Sequence, residues 1–372
     1  MLITVIVFLL ILSVLVLVHE LGHFFAAKKL GVKVEEFGFG LPPRAFGKKI
    51  GETVYSLNWL PIGGFVKLYG EDEAGAGRIS KTKDQRPMTK DQRRAFFGRP
   101  VWQRALVVVA GVIMNFILAV IIISYIFGVA GVRTPGDKVV VLDIVKGSPA
   151  QISGMRKDDV VESINGIKVT SATQLISLTK MHLGEEIVLQ IKDQKLNLKN
   201  IKVTPRKNYP KNEGPMGVAI SQNIIIKKYA WYEAPIVGTK EALKDSWLIV
   251  SSLGKTVYDL FARAEVPKGV AGPIGIYLLT GEIVKVGPMA VLSFMSILSL
   301  NLAIFNILPI PALDGGRLLF ILIEGITGKK VSQKFESKAH EIGWVILLSL
   351  IALISISDLI KSFTGQPIIP KQ

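Results

Sequence analysis

Apolar residues fall along this chain in four long runs: 1–18, which holds no charged residue, 105–131, 291–308 and 342–356. A helix rises about 1.5 Å per residue, so each run suffices, or nearly so, to cross a hydrocarbon core of about 30 Å. The pattern predicts a polytopic α-helical membrane protein with about four transmembrane helices. The first run has no basic segment before it and no small-residue cleavage site after it. It reads as a retained span, not a secretory signal.

Between the first two runs the period shortens to two. Residues 53–60 alternate, Pro61-Ile62-Gly63-Gly64 turns, and 65–69 continues the strand pattern. Upstream, Phe37-Gly38-Phe39-Gly40-Leu41-Pro42-Pro43 suits close backbone approach or a loop entering the bilayer. Such a loop is tolerated only where it lines a cavity or packs on protein. Residues 71–99 are charged and read as exposed or disordered.

A second polar region follows the second run. Strand patterns at 138–145, 160–164, 187–191 and 196–203 alternate with a Ser148-Pro149 helix start, an Asn165-Gly166 turn and a helical stretch at 171–183. Residues 205–215, rich in Pro, Lys and Asn, read as a linker. Residues 229–264 carry apolar and aromatic side chains at near-helical spacing, expected as an amphipathic helix at the outer membrane surface.

The expected organisation is a first transmembrane helix over 1–28, a cytoplasmic loop with membrane-associated β elements over 29–103 and a second span over 104–131. An extracytoplasmic α+β domain occupies 132–207, and a linker with the amphipathic segment occupies 208–286. A third span over 287–317, a cytoplasmic segment over 318–341, a fourth span over 342–361 and a tail over 362–372 complete the chain.

Composition supports this reading. The chain is 49% hydrophobic and 20% charged, too apolar for an ordinary soluble protein. Its formal charge of +16 would suggest nucleic acid in a soluble chain. Here the basic residues flank spans instead: Lys28, Lys29, Lys33, Arg44, Lys48, Lys49, Arg93, Arg94, Arg99 and Arg104 in one loop, Lys329, Lys330, Lys334 and Lys338 in another. Such loops face the cytoplasm, which puts the N-terminus, the 132–286 region and the C-terminus outside. No nucleic-acid partner is expected. The absence of cysteine excludes disulfides and thiolate metal ligands.

Candidate chemistry lies at the end of the first run. His19-Glu20-Leu21-Gly22-His23 places two imidazoles four residues apart on one helix face, the spacing that binds one Zn2+ per chain with Glu20 as general base. The bland alternative is a pair of histidines that merely end a span. His182 and His340 read as surface positions. Catalytic zinc takes three protein ligands and keeps one open position. Asp314 is the candidate third ligand. It follows Asn306-Ile307-Leu308-Pro309-Ile310-Pro311 and precedes two glycines, Gly315 and Gly316. A loop Asp capping the next helix is the alternative, for which Gly-Gly-Arg is unsuited. The first and third spans both run from outside to inside. His19 and Asp314 thus reach a similar depth, toward the cytoplasmic side, after about 27 Å of helix.

With these residues in place, the chain resembles the site-2 protease family of intramembrane zinc metalloproteases, in its bacterial RseP-like branch. The resemblance rests on HELGH, the FGFG segment, PIGGFVKLYGEDE, SPAQISGMRKDDVVESINGIKV, GVAGPIG at 269–275 and NILPIPALDGGR at 306–317. It implies zinc on His19, His23 and Asp314, and Glu20 activating water. It identifies the 132–207 domain as a single PDZ domain, although Lys157-Asp158 stand where the family has Gly-Asp. It implies location in the bacterial cytoplasmic (inner) membrane and cleavage within transmembrane segments of single-pass substrates, anti-sigma factors or remnant signal peptides, after an upstream site-1-type protease. The lipid bilayer is the second partner. Asn306, Pro309 and Pro311 would shape the site, and Gly38, Gly40, Gly63, Gly64 and Phe65 would lie where an unwound substrate adds to a strand edge. Two readings stand beside it: a membrane-anchored zincin acting on soluble or unfolded proteins, and a non-enzymatic PDZ scaffold.

Overall fold

The computed structural model describes residues 1–70, 93–210, 212–263 and 271–364. The 71–92 part of the charged segment, residues 264–270 with the start of the GVAGPIG motif, and the tail beyond 364 lie outside the described residues. The chain divides into two compact units: Met1–Ala130 with Ala230–Gln372, and Gly131–Tyr229.

In the first unit, four of the described helices are long and apolar enough to cross a membrane. They are α1 (Leu2–Lys29), α2 (Val101–Val129), α7 (Pro288–Ile307) and α9 (Gln333–Phe363). The unit also holds α5 (Ala234–Arg263), α6 (Pro273–Val286) and α8 (Asp314–Thr327). Ile11 and Leu15 of α1 pack on Ile122 of α2 and Met295 of α7. At the other end of α1, Phe24 and Ala27 join Val107 and Val108 of α2 and Ile321 of α8. The opposite faces of these helices stay apolar yet exposed, at Ile6, Leu10, Ile121, Leu348 and Leu353, as lipid-facing side chains do.

Two strands follow α1: β1 (Val34–Ile50) and β2 (Thr53–Leu68). They pair antiparallel, and Phe37 lies opposite both Tyr55 and Val66, so β2 doubles back beside β1. The reversal falls at 58–63, where Gly63 has a φ of 73° that suits glycine. Residues 64–68 thereby form a row at the sheet's edge, packed against α1 through Gly63 and Val16.

Four expectations change here. The third span is not continuous to 317. Helix α7 stops at Ile307, because Pro309 and Pro311 cannot supply helical N–H groups, and α8 restarts at Asp314. The fourth span starts at Gln333, not 342, with the Ser332 hydroxyl accepting the Phe335 N–H. Helix α5 exists, but its face packs within the unit: Ala242 and Ile249 cluster with Ala119 and Ile123 of α2 and Leu300 of α7. Last, His340 is buried at 4% exposure rather than on the surface. Near the far end of α9, the buried Asp358 carboxylate accepts the Gly272 and Gly275 N–H groups, both at 2.9 Å, at the start of α6.

The second unit is a sheet in the order β7-β6-β4-β3-β8, with β5 beside β4. Its strands are β3 (Val132–Ile144), β4 (Val160–Ile164), β5 (Ile167–Lys168), β6 (Ile187–Lys192), β7 (Leu198–Val203) and β8 (Val218–Lys227). Helices α3 (Pro149–Ile152) and α4 (Ala172–Met181) start on the caps Ser148 and Ser171. Val139, Val141, Leu175, Ile187 and Leu189 form its core. The boundary near 207 moves to Tyr229. The described parts of the expected linker, 205–210 and 212–215, fold back on each other: the Arg206 N–H donates to the Pro215 carbonyl, and Arg206 pairs with Glu213 at 2.6 Å. Strand β8 then pairs with β3.

Candidate active site

The site begins with helical spacing. On α1, His19 and His23 share a face, and their rings meet edge to face with centroids 4.7 Å apart. That face is turned to α2, where the backbone comes close because Gly22 and Gly111 meet without side chains. A Cβ on Gly111 would lie 2.5 Å from His23 Nε2 and 2.8 Å from His19 Cε1. Gly111 therefore holds open the space that both imidazoles occupy. It escaped the sequence reading because a glycine in an apolar span carries no signal of its own.

Asp314 arrives from the other end of the chain. The break after Ile307 and the glycines after Asp314 let the chain wrap tightly over the start of α8. Asp314 does open a helix, but its carboxylate leaves the helix end uncapped and goes to the histidines. His19 Nε2 lies 2.8 Å from Asp314 Oδ2, His23 Nε2 lies 3.2 Å from the same oxygen, and the two Nε2 atoms are 3.1 Å apart. Among the described residues, these three form the one group of His, Cys, Asp or Glu that could hold a metal ion.

The donor chemistry fits Zn2+. His23 Nδ1 donates to the Val107 carbonyl at 2.9 Å, which leaves its Nε2 lone pair aimed at the other two ligand atoms. His19 Nδ1 faces the Asn115 side-chain amide at 3.3 Å, while Asn115 Oδ1 is buried with no partner. Turning that amide over lets Oδ1 accept from Nδ1–H and presents the Nε2 lone pair of His19 as well. Two lone pairs and a carboxylate oxygen converging in a buried space call for a cation between them. Zinc bonds of about 2.0–2.1 Å place tetrahedral ligand atoms about 3.4 Å apart, so the three atoms, now 2.8–3.2 Å apart, need only spread slightly to take the ion.

Around the ligands lies a cavity of about 790 Å3 lined by Glu20, Val66, Arg317, His340 and Trp344 among others. Glu20 follows His19 directly and lines the same cavity as His23 and Asp314. Its Oε2 accepts the Val66 N–H at 3.1 Å, so it stands between the ligand cluster and the edge row of β2. Gly64 and Phe65 sit on that row, and a Cβ on Gly64 would come within 3.9 Å of Glu20 Cγ. Gly38 lies one row inward, opposite Phe65, and Gly40 packs on the Leu60 carbonyl. Asn306 Nδ2 approaches His19 Nε2 at 3.4 Å, and Pro309 and Pro311 hold the loop between α7 and α8. Gly63 contacts Val16 of α1, not the cavity. His182 stays in the other unit, bonded to the Leu178 carbonyl. Outside the spans, Arg94 and Lys28 hold the Glu52 carboxyl below its usual range at the foot of the sheet.

Comparison with known proteins agrees with this geometry. The model of peptidase family M50 matches residues 7–350. A Clostridium perfringens protein provisionally named a zinc metalloprotease is 35% identical over 357 residues, covering 95% of this chain and 97% of the relative. The regulator of sigma-W protease RasP of Bacillus subtilis is 29% identical over 430 residues, covering 97% of this chain and 99% of its own. The zinc metalloprotease RasP of Bacillus licheniformis is 30% identical over 427 residues, with the same coverage. A family match over nearly the whole length, on a chain with four membrane-crossing helices and a buried His-His-Asp cluster, makes this protein a zinc metalloprotease belonging to peptidase family M50, the site-2 protease family.

Proposed function

We propose that this protease cuts peptide bonds within the transmembrane segments of single-pass membrane proteins, with His19, His23 and Asp314 holding zinc and Glu20 as general base. The observation that carries the reading is the position of Glu20, on a membrane-crossing helix, between the ligand cluster and a strand edge. Bound zinc supplies a water of lowered pKa and polarises the scissile carbonyl. Glu20 takes the proton from the attacking water and returns it to the departing amide nitrogen. A helical substrate hides its amides in its own hydrogen bonds and must unwind before it is cut. The 64–68 row can hold it extended by strand addition, with Gly38, Gly40, Gly63, Gly64 and Phe65 keeping that row flat against α1. Asn306, Pro309 and Pro311 shape the opposite wall.

The relative named as a regulator of sigma-W favours anti-sigma factors as one substrate class; remnant signal peptides are a second, which rests on the family resemblance alone. Substrates of this kind would reach the enzyme after an upstream site-1-type protease has removed their ectodomain. The 131–229 unit is read as an extracytoplasmic PDZ domain that excludes bulky ectodomains, and the basic loops as the cytoplasmic side of the bacterial inner membrane.

Zinc content tests the site without any substrate. About one zinc per chain is expected in detergent-purified protein, and far less in Asp314→Asn. Zinc unchanged by Asp314→Asn would mean that another residue is the third ligand.

A further inference from the structure

Helix α9 carries no ligand, yet it grips the loop that delivers one. Between Ile307 and Asp314 the chain makes its turn through Ala312, whose φ of 82° is in the left-handed region that a side chain disfavours. A non-glycine residue held there costs about 1–3 kcal/mol, so its surroundings must impose the conformation. Two residues of α9 do so from one face, three apart. The Ala312 N–H donates to His340 Nδ1 at 2.9 Å. Gly343 packs directly beneath the neighbouring residue: a Cβ there would lie 2.5 Å from the Pro311 carbonyl oxygen. The His340 ring is itself held edge-on by Phe320 of α8, at 5.8 Å between centroids. His340 thus bridges the loop before Asp314 and the helix after it.

We propose that His340 is a positioning residue for the metal centre: by accepting the Ala312 N–H it fixes the left-handed turn that aims the Asp314 carboxylate at His19 and His23. This rests on the reading that Asp314 is a zinc ligand. The role needs an acceptor at the Nδ1 position, since the donor is a backbone N–H. Asparagine places its Oδ1 at nearly the same point from Cγ. Leucine fills the space and offers nothing.

The test is zinc retention against a graded chelator in the full-length protein in detergent micelles, for wild type, His340→Leu, His340→Asn, Asp314→Asn and Asp358→Asn. The last variant loosens α9 from α6, eighteen residues from His340, without touching the loop. His340→Leu is expected to lose zinc about tenfold more readily, in the range for partners that orient ligands, and His340→Asn to recover most of that loss. Asp358→Asn is expected to keep wild-type retention. Wild-type retention in His340→Leu, no recovery in His340→Asn, or an equal loss in Asp358→Asn would each overturn the proposal. Unchanged zinc in Asp314→Asn would instead overturn the ligand assignment beneath it. Hydrogen exchange along α9 in each variant shows whether the helix stays formed, so that unfolding of His340→Leu is read as failure of that variant and the Asn and Asp358 arms decide.

Discussion

The two units satisfy their buried polar groups over different sequence distances. In the 131–229 unit the buried polar side chains are tied within four residues. Ser148 accepts the Gln151 N–H, Asp159 accepts the Arg156 N–H, and Thr179 donates to the Leu175 carbonyl. In the membrane-crossing unit Thr280 and Ser296 also bond locally, to the Ile276 and Ser293 carbonyls, but many buried polar groups find partners far away in sequence. Ser13 bonds to Pro61, His23 to Val107, Ser299 to Asn115, and His19 to Asp314 across 295 positions. The 131–229 unit is held by an apolar core, and its buried polar groups need only local partners. Between spans that face lipid, burial of apolar surface gives helices little reason to associate, so packing of small residues and long-range polar contacts specify the arrangement. The same contacts assemble the site.

The largest effect bearing on this contrast is expected from Glu20→Gln. It removes the proposed base but no ligand and no packing atom, so cleavage should fall by about 10²–10⁴-fold while zinc content holds. A peptide containing a membrane-spanning helix, cut in detergent, is the assay. Retained turnover would remove the role given to Glu20.

Next comes Leu189→Ala, in the core of the sheet unit, where Leu189 is fully buried. Truncation there costs about 2–5 kcal/mol. Hydrogen exchange should show faster opening confined to 131–229, with zinc retention unchanged. If zinc is lost in parallel, the two units are energetically one, and the contrast drawn above fails.

The smallest effect is expected from Gly63→Val. Its φ of 73°, and a Val16 methyl 3.1 Å from where a Cβ would sit, penalise any side chain by about 1–3 kcal/mol. The edge row should shift, and cleavage of a helical substrate should slow about tenfold with zinc intact. An unchanged rate would separate the sheet from substrate handling.

Much of this was legible beforehand, for physical reasons that differ by element. The sheet unit wrote its strands as period-two alternation, and its turns as Asn165-Gly166, with both residues at positive φ. Its last strand was not legible, because 218–227 follows a Pro- and Lys-rich stretch that resembles a linker. The spans were legible in number but not in their ends. The polar first turns of α9 look like a loop until Ser332 caps them, and proline stops α7 before the apolar run ends.

Residue order alone dictates that there are membrane spans, that two histidines and a glutamate share a helix end, and that an aspartate stands beyond a broken helix. Each is a matter of local spacing, which the helical period fixes without reference to the rest of the chain. What surrounds these groups is set by the packing of distant segments. Gly111 makes room for the imidazoles, Val107 and Asn115 face their outer nitrogens, and His340, read as a surface residue, accepts the Ala312 N–H of the loop before Asp314. Glycines, amides and backbone carbonyls carry no pattern along the chain, and their roles exist only where distant helices meet.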